Sequence, residues 1–268
     1  MARAETIASA ANPLVKDVRR AMARGALTSQ GWCVAETFHL LEEALRGDCE
    51  VKVVLAAESV RSTAEAHVRR LPGIKVVVLP DALMQGISGT ETSQGVIALV
   101  RPPEWKLDQL FRGRSLVVVL DGLQDPGNAG TIARSAEAFG ATGLLFLKGT
   151  VSPFNPKTLR ASAGSLFRIP YLHGIDPALA RAALRQNKVE LYAAVPARDG
   201  GTARRLADVD LTARCGLIIG SEAHGVGGEL RAAALDVSIP TVRVESLNAA
   251  VAAAILLYEA RRQRAMRS

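Results

Sequence analysis

Apolar runs alternate with amphipathic stretches along the whole chain. "VKVVLAA" from Val51, "IKVVVLP" from Ile74 and "GVIALV" from Gly95 are short and bounded by polar or turn residues, the pattern of buried strands. Leu14, Val15, Val18, Ala21 and Met22 recur at helical spacing, opened by Asn12-Pro13 and followed by Gly25, a cap, a first-turn proline and a helix stop. Helices are also predicted over residues 37–46 and 57–71, with a helical turn at 82–85. This alternation predicts a small α/β unit ending near Val100.

The second half alternates again. Strands are predicted at 116–120, 143–147, 190–195, 216–219 and 237–239, and helices at 129–139, 177–186 and 247–264, with a turn at 228–233. The strands are continuous apolar runs, as expected of a parallel sheet covered by helices on both faces. Ligands of such sheets collect beyond the carboxyl ends of the strands. "RPPEWKLDQLFRGR" from Arg101 combines prolines and charges without periodicity and reads as a linker. The expected organisation is a first domain over 1–100, a linker over 101–114 and a second domain over 115–268.

Charge then narrows the partners. Thirty-three Lys and Arg against 26 Asp and Glu give a net charge of +7, which favours polyanions, nucleic acid first among them. On the first helix Lys16, Arg19, Arg20 and Arg24 lie off the apolar face, either as a solvated basic surface or as one that faces RNA. The three cysteines Cys33, Cys49 and Cys215 are scattered; they suggest neither a disulfide framework nor a metal site, and fit a reducing, cytoplasmic setting. The opening "MARAETIASAANP" has no apolar signal core, and the longest apolar run, 249–258, is too short to span a bilayer. No metal and no membrane are expected.

Three loops at predicted strand ends carry candidate chemistry. "LDGLQDPGNAGTIARSAEAFG" from Leu120 joins a strand to a helix but lacks the glycine spacing of a dinucleotide loop and the lysine of a P-loop. Asn128 stands where a helix cap would sit, and Arg134 lies two turns in, on the face of positions 127, 130 and 131. "LIIGSEAHGVGGEL" places Gly220, which permits close backbone approach of a flat ligand, before Glu222; His224 is left unassigned. In "SIPTVRVESLNAAVAAAILLYEARRQR", Ser246 reads as the N-cap of a long helix and Asn248 stands just inside it. Residues 249–257 are apolar all round, which predicts a wholly buried helix. Arg261, Arg262, Arg264 and Arg267 suit its C-terminal dipole, or contact RNA phosphates. Between the loops, "NPKTLRASAGSLFRIP" offers Lys157, Arg160 and Arg168 for phosphate oxygens.

Taken together, "DGLQDPGNAGTIARSAEAFGA", "GSEAHGVG" and "IPTVRVESLNAAVAAA" resemble motifs 1, 2 and 3 of the SpoU/TrmH-like RNA ribose methyltransferases of the SPOUT superfamily. Their order and spacing match, as does "NPKTLRASAGSLFRIP". The first hundred residues are similar to the family's L30e-like substrate-binding domain, through "NPLVKDVRR" and "TSQGVIALV". One departure stands out: a Glu-Gly pair is usual where this chain has Glu36-Thr37.

The resemblance implies an α/β fold with a deep trefoil knot, a homodimer, and S-adenosylmethionine bound bent in the knot. It implies that Gly220, Ile239 and Leu247 contact this cofactor, and that Asn128, Arg134, Glu222, Ser246 and Asn248 occupy the active-site positions. Lys16, Arg20, Lys157 and Arg160 are the expected RNA contacts. The implied reaction is attack of a ribose 2′-oxygen on a methylsulfonium, with ribosomal RNA ahead of transfer RNA as substrate. Arg134 is the family's proposed base; a free guanidinium stays protonated to a pKa above about 12, so clamping of the RNA is the alternative role. Two other readings stay open: an RNA-binding protein with a degenerate methyltransferase domain, and a Rossmann-type nucleotide enzyme, which the absent glycine fingerprint disfavours.

Overall fold

A computed structural model describes residues 5–47, 49–71, 73–90, 92–197 and 202–266. In chain order the elements are β1 (Glu5–Thr6), α1 (Pro13–Arg24), β2 (Cys33–Glu36), α2 (Phe38–Arg46), β3 (Val51–Ala57), α3 (Arg61–Val68), β4 (Lys75–Leu79), α4 (Asp81–Gln85), β5 (Val96–Val100) and α5 (Leu107–Leu110). There follow β6 (Leu116–Asp121), α6 (Pro126–Ala138), β7 (Gly143–Leu147), α7 (Pro156–Ser162), β8 (Tyr171–Ile175), α8 (Pro177–Gln186), β9 (Glu190–Val195), β10 (Arg204–Arg205), β11 (Cys215–Gly220), α9 (Gly228–Arg231), β12 (Leu235–Ser238) and α10 (Ala249–Ala265).

The chain divides into two compact units. The first comprises residues 1–104 together with Phe154–Arg168, so a segment that lies between β7 and β8 in sequence packs with the N-terminal fold. Its mixed sheet runs β1-β4-β3-β5-β2, with β5 antiparallel to both β3 and β2. Val15, Val18 and Ala21 of α1 are buried against this core with Val53, Leu55 and Leu99, while Lys16, Arg19, Arg20 and Arg24 stay exposed. The expected helix over 57–71 is instead a 3-10 turn followed by α3.

Two buried carboxylates explain why Phe154–Arg168 belongs to this unit. Glu36, 1% exposed, receives Arg160 Nη1 at 2.6 Å, the Gly89 N–H at 3.2 Å and the Thr90 hydroxyl at 3.2 Å, and the Ser88 hydroxyl donates to it as well. Glu43 receives Arg46 Nη1 at 2.8 Å and the Arg168 guanidinium. A buried carboxylate needs such partners, and here part of each set arrives from a remote stretch of chain.

The second unit holds a sheet in the order β10-β12-β9-β11-β6-β7-β8, and every pairing in it is parallel. Val117, Val119, Leu145 and Ile218 point to the face covered by Leu110 of α5, Ala180 and Leu184 of α8 and Leu230 of α9; α6 and α10 pack against each other and against β7 and β11. The chain runs from β6 to β7 and β8 on one side, then crosses to β9 and β11 on the other. The boundary between β6 and β11 is thus a switch point of the strand order, and ligands of such sheets gather beyond the carboxyl ends of the strands. The strand prediction missed β8, because "YLHGI" is an edge strand with exposed His173 and Gly174 and no apolar run.

Candidate active site

Three loops converge beyond the carboxyl ends of β6, β11 and β12. After β6, Asp125 caps α6 by accepting the Asn128 N–H at 2.7 Å, with Pro126 in the first turn. Asn128 is therefore one turn inside the helix and is not its cap. Its side chain is free for long-range work: Nδ2 donates to Glu222 Oε1 at 2.6 Å, and Oδ1 accepts from Asn248 Nδ2 at 3.0 Å.

After β11 the loop folds back on its own start. Ser221 and Gly225 exchange backbone hydrogen bonds of 3.1 and 2.9 Å. A Cβ at Gly220 would lie 2.2 Å from the Gly225 carbonyl carbon, a separation no side chain tolerates. The close backbone approach that Gly220 permits is thus made by its own loop.

After β12 the chain reaches α10 through residues 239–248. Asn248, not Ser246, is the N-cap: its Oδ1 accepts the Ala250 and Val251 N–H groups at 2.9 and 3.3 Å. One asparagine therefore caps the helix with its oxygen and holds Asn128 with its nitrogen.

The loops after β11 and β12, with the end of β9, wall a pocket of about 660 Å³, within the usual range for small-molecule sites. Gly220, Glu222, Ile239, Ser246, Leu247 and Asn248 line it. So do His224 and Glu245, the end of β9 at Val195, and Thr202, which the motif reading did not single out. Asn128 joins through its bonds to Glu222 and Asn248. Arg134 does not line the pocket; it is exposed on α6, and its side chain has no hydrogen bond or ion pair among the described residues.

The expected basic contacts separate. Lys16 and Arg20 are exposed on α1, and Lys157 is exposed on α7. Arg160 is engaged with Glu36. Arg264 turns inward, donating to the carbonyls of Arg114, Leu211, Ala213 and Ser115 at 2.7, 2.9, 2.6 and 3.2 Å. Arg262 pairs with Glu259, Arg261 is exposed, and Arg267 lies outside the described residues. Helix α10 is not wholly buried within one chain: Val251 and Tyr258 are 49% and 55% exposed.

Residues 115–258, more than half the chain, match the SpoU rRNA Methylase family, and residues 12–98 match the MRM3-like substrate binding domain. The chain belongs to the SpoU rRNA methylase family. It is 33% identical to the 23S rRNA (guanosine(2553)-2'-O)-methyltransferase RlmP of Bacillus subtilis (strain 168), over 95% of this chain and 98% of that relative. It is 35% identical to the 23S rRNA (uridine(2479)-2'-O)-methyltransferase of Streptomyces viridochromogenes, over 71% of this chain and 68% of the other. The crystal structure of the SpoU methyltransferase AviRb from Streptomyces viridochromogenes in complex with the cofactor AdoMet superimposes with a TM-score of 0.85 at 28% identity, covering 95% of this chain and 98% of that one. The range matched to the family contains the pocket-lining loops after β11 and β12 and the Asn128 that bonds to them.

Proposed function

We propose that this protein transfers a methyl group from S-adenosylmethionine to a ribose 2′-oxygen of ribosomal RNA. The observation that carries this reading is the hydrogen-bonded series Glu222–Asn128–Asn248, which ties three separate loops into one rim of the pocket. The donor supplies a methyl on a sulfonium, which an in-line oxygen displaces while the positive charge is lost. The pocket fits such a molecule: Ile239 and Leu247 give apolar walls, and the carboxylates of Glu222 and Glu245 suit a cation. Gly220, Ile239 and Leu247 hold the donor. Asn128, Glu222, Ser246 and Asn248 align the ribose, since positioning supplies most of what such a transfer needs from protein.

Arg134 acts on the RNA from a second copy of the chain. Val251 and Tyr258 are exposed on α10, and the Tyr258 ring packs edge-on to Phe139 just beyond α6, centroids 5.8 Å apart. A second copy covering these apolar groups forms the homodimer and carries the exposed Arg134 of one chain to the pocket of the other. The guanidinium there clamps and aligns RNA. The trefoil knot belongs to this reading, with the C-terminal segment threading it.

The first unit recognises RNA through Lys16 and Arg20, assisted by Lys157. Arg160 serves the fold of that unit instead. No helix among the described residues is long and apolar enough to cross a membrane, and the reading places the protein in the cytoplasm with the ribosome. The test is incubation with radiolabelled donor and either ribosomal subunits or transfer RNA, followed by mapping of the label. Label in a ribosomal RNA ribose is expected. Label only in transfer RNA overturns the substrate; RNA binding without donor binding favours a non-catalytic RNA-binding protein.

A further inference from the structure

Asp121 is the last residue of β6 and pairs in register with Gly220, the last residue of β11. The loop that leaves Gly220 carries Glu222, and its internal bonds include one from the His224 N–H to Ser221 Oγ at 3.1 Å. Those bonds shape the loop without fastening it to the sheet. Among the described residues, fastening comes from the buried side chain of Val226 and from two side-chain hydrogen bonds. Asn128 holds the apex through Glu222 at 2.6 Å. At the exit, the Gly227 N–H donates to Asp121 Oδ2 at 2.7 Å. A Cβ at Gly227 would lie 3.0 Å from that same oxygen, so an added side chain there pushes the carboxylate back by a few tenths of an ångström.

We infer that Asp121 is a positioning residue for methyl transfer: it clamps the exit of the loop spanning residues 220–227 so that Glu222 and the pocket wall keep their places. Asp121 does not line the pocket, so it acts only through the loop. This rests on the reading that the pocket takes S-adenosylmethionine. A hydrogen bond to a charged acceptor shifts an open–closed balance by about tenfold to a hundredfold, and local opening of that size is visible in amide exchange.

The test uses the full chain and compares wild type, Asp121→Ala, Asp121→Asn, Gly227→Ala and the double variant D121A/G227A. Amide exchange of residues 220–227 and equilibrium binding of S-adenosylmethionine are measured, with the KM for RNA and the thermal midpoint as controls. In D121A, exchange in the loop rises about tenfold or more and donor affinity falls by a similar factor. The KM for RNA stays at its wild-type value, and the thermal midpoint falls by only the few degrees that one hydrogen bond accounts for. D121N recovers most of the loss, because its amide oxygen accepts the same N–H. The double variant is no worse than D121A, since both changes remove one contact. Wild-type exchange in D121A overturns the inference. So does a loss shared equally by D121A and D121N, because that marks a carboxylate needed for something other than accepting the Gly227 N–H. A wild-type protein that binds no donor overturns the reading of the pocket instead, and the exchange comparison still decides the role of Asp121.

Discussion

Asn128 and Glu222, 94 residues apart in sequence, are joined by a 2.6 Å hydrogen bond from amide to carboxylate. Because Asn248 donates to the opposite end of the same amide, the orientation of Asn128 is set from both sides. Asn128→Asp places a carboxylate against Glu222, where like charges repel, and Asn128→Ala removes the link. Both variants are predicted to lose about a hundredfold or more in single-turnover methylation, the scale of a misplaced reacting group. Activity within threefold of wild type in either variant would sink the idea that this amide organises the site.

The sheet of the second unit was legible because its strands are continuous apolar runs, as at Leu116–Asp121 and Gly143–Leu147. The caps were less so. Asp125 and Asn128, like Ser246 and Asn248, are pairs of good capping residues within a few positions, and local propensity does not choose between them. Tertiary bonds do: Asn128 is drawn to Glu222, and Asn248 to both Asn128 and the first turn of α10. The place of Phe154–Arg168 was hidden for the same reason, since nothing in "NPKTLRASAGSLFRIP" announces that its arginines answer Glu36 and Glu43.

Thr37 has φ 125° and ψ 152°, a region that only glycine occupies without strain. It stands where the family resemblance implies glycine. Its hydroxyl caps α2 by accepting the Leu40 N–H at 3.1 Å, a gain smaller than the strain of about 1–3 kcal/mol. Replacing a capping threonine by glycine costs only a few tenths of a kcal/mol, and the added chain entropy costs about 1 kcal/mol at most. Thr37→Gly is therefore predicted to stabilise the protein by about 1 kcal/mol, read as a higher urea midpoint. A lower midpoint contradicts the strain argument.

Glu43 gives the first unit an acid-sensitive joint. Burial pushes its pKa up, but the hydrogen bonds from Arg168 and Arg46 outweigh that and hold it below the ordinary value. A carboxyl with a depressed folded-state pKa stabilises the fold above its unfolded pKa and loses that contribution as pH falls through the folded value. Wild type is predicted to be more stable than Glu43→Gln at neutral pH, with the two converging as pH drops below the ordinary carboxylate range. Urea midpoints measured from neutral to acid pH check this; a gap independent of pH is the contrary result.

Arg264 binds four backbone carbonyls at the base of the second unit, an arrangement that turns the guanidinium toward the fold. Arg264→Ala strands those acceptors and is predicted to destabilise the protein by about 2 kcal/mol or more. The salt dependence of RNA binding is predicted to stay unchanged, because a residue that contacts no phosphate releases no counterion. A reduced salt slope with unchanged stability would return Arg264 to the RNA surface.

Arg134 and Asn128 share helix α6, yet of the two only Asn128 bonds to residues that line the pocket of its own chain, Glu222 and Asn248. Six residues separate them, which at about 100° per residue places their side chains on different sides of the helix. If Arg134 serves the pocket of a second copy, then a chain lacking Arg134 and a chain lacking Asn128 complement each other. In a mixed dimer, one pocket receives intact Asn128 from the first chain and intact Arg134 from the second. The prediction is that Arg134→Ala and Asn128→Ala are each inactive as pure proteins. On mixing after dissociation and reassociation, activity should rise to about a quarter of wild type, since half of randomly paired dimers are mixed and each holds one whole site of two. No recovery, in a sample where native mass spectrometry confirms mixed dimers, would place Arg134 in the service of its own chain.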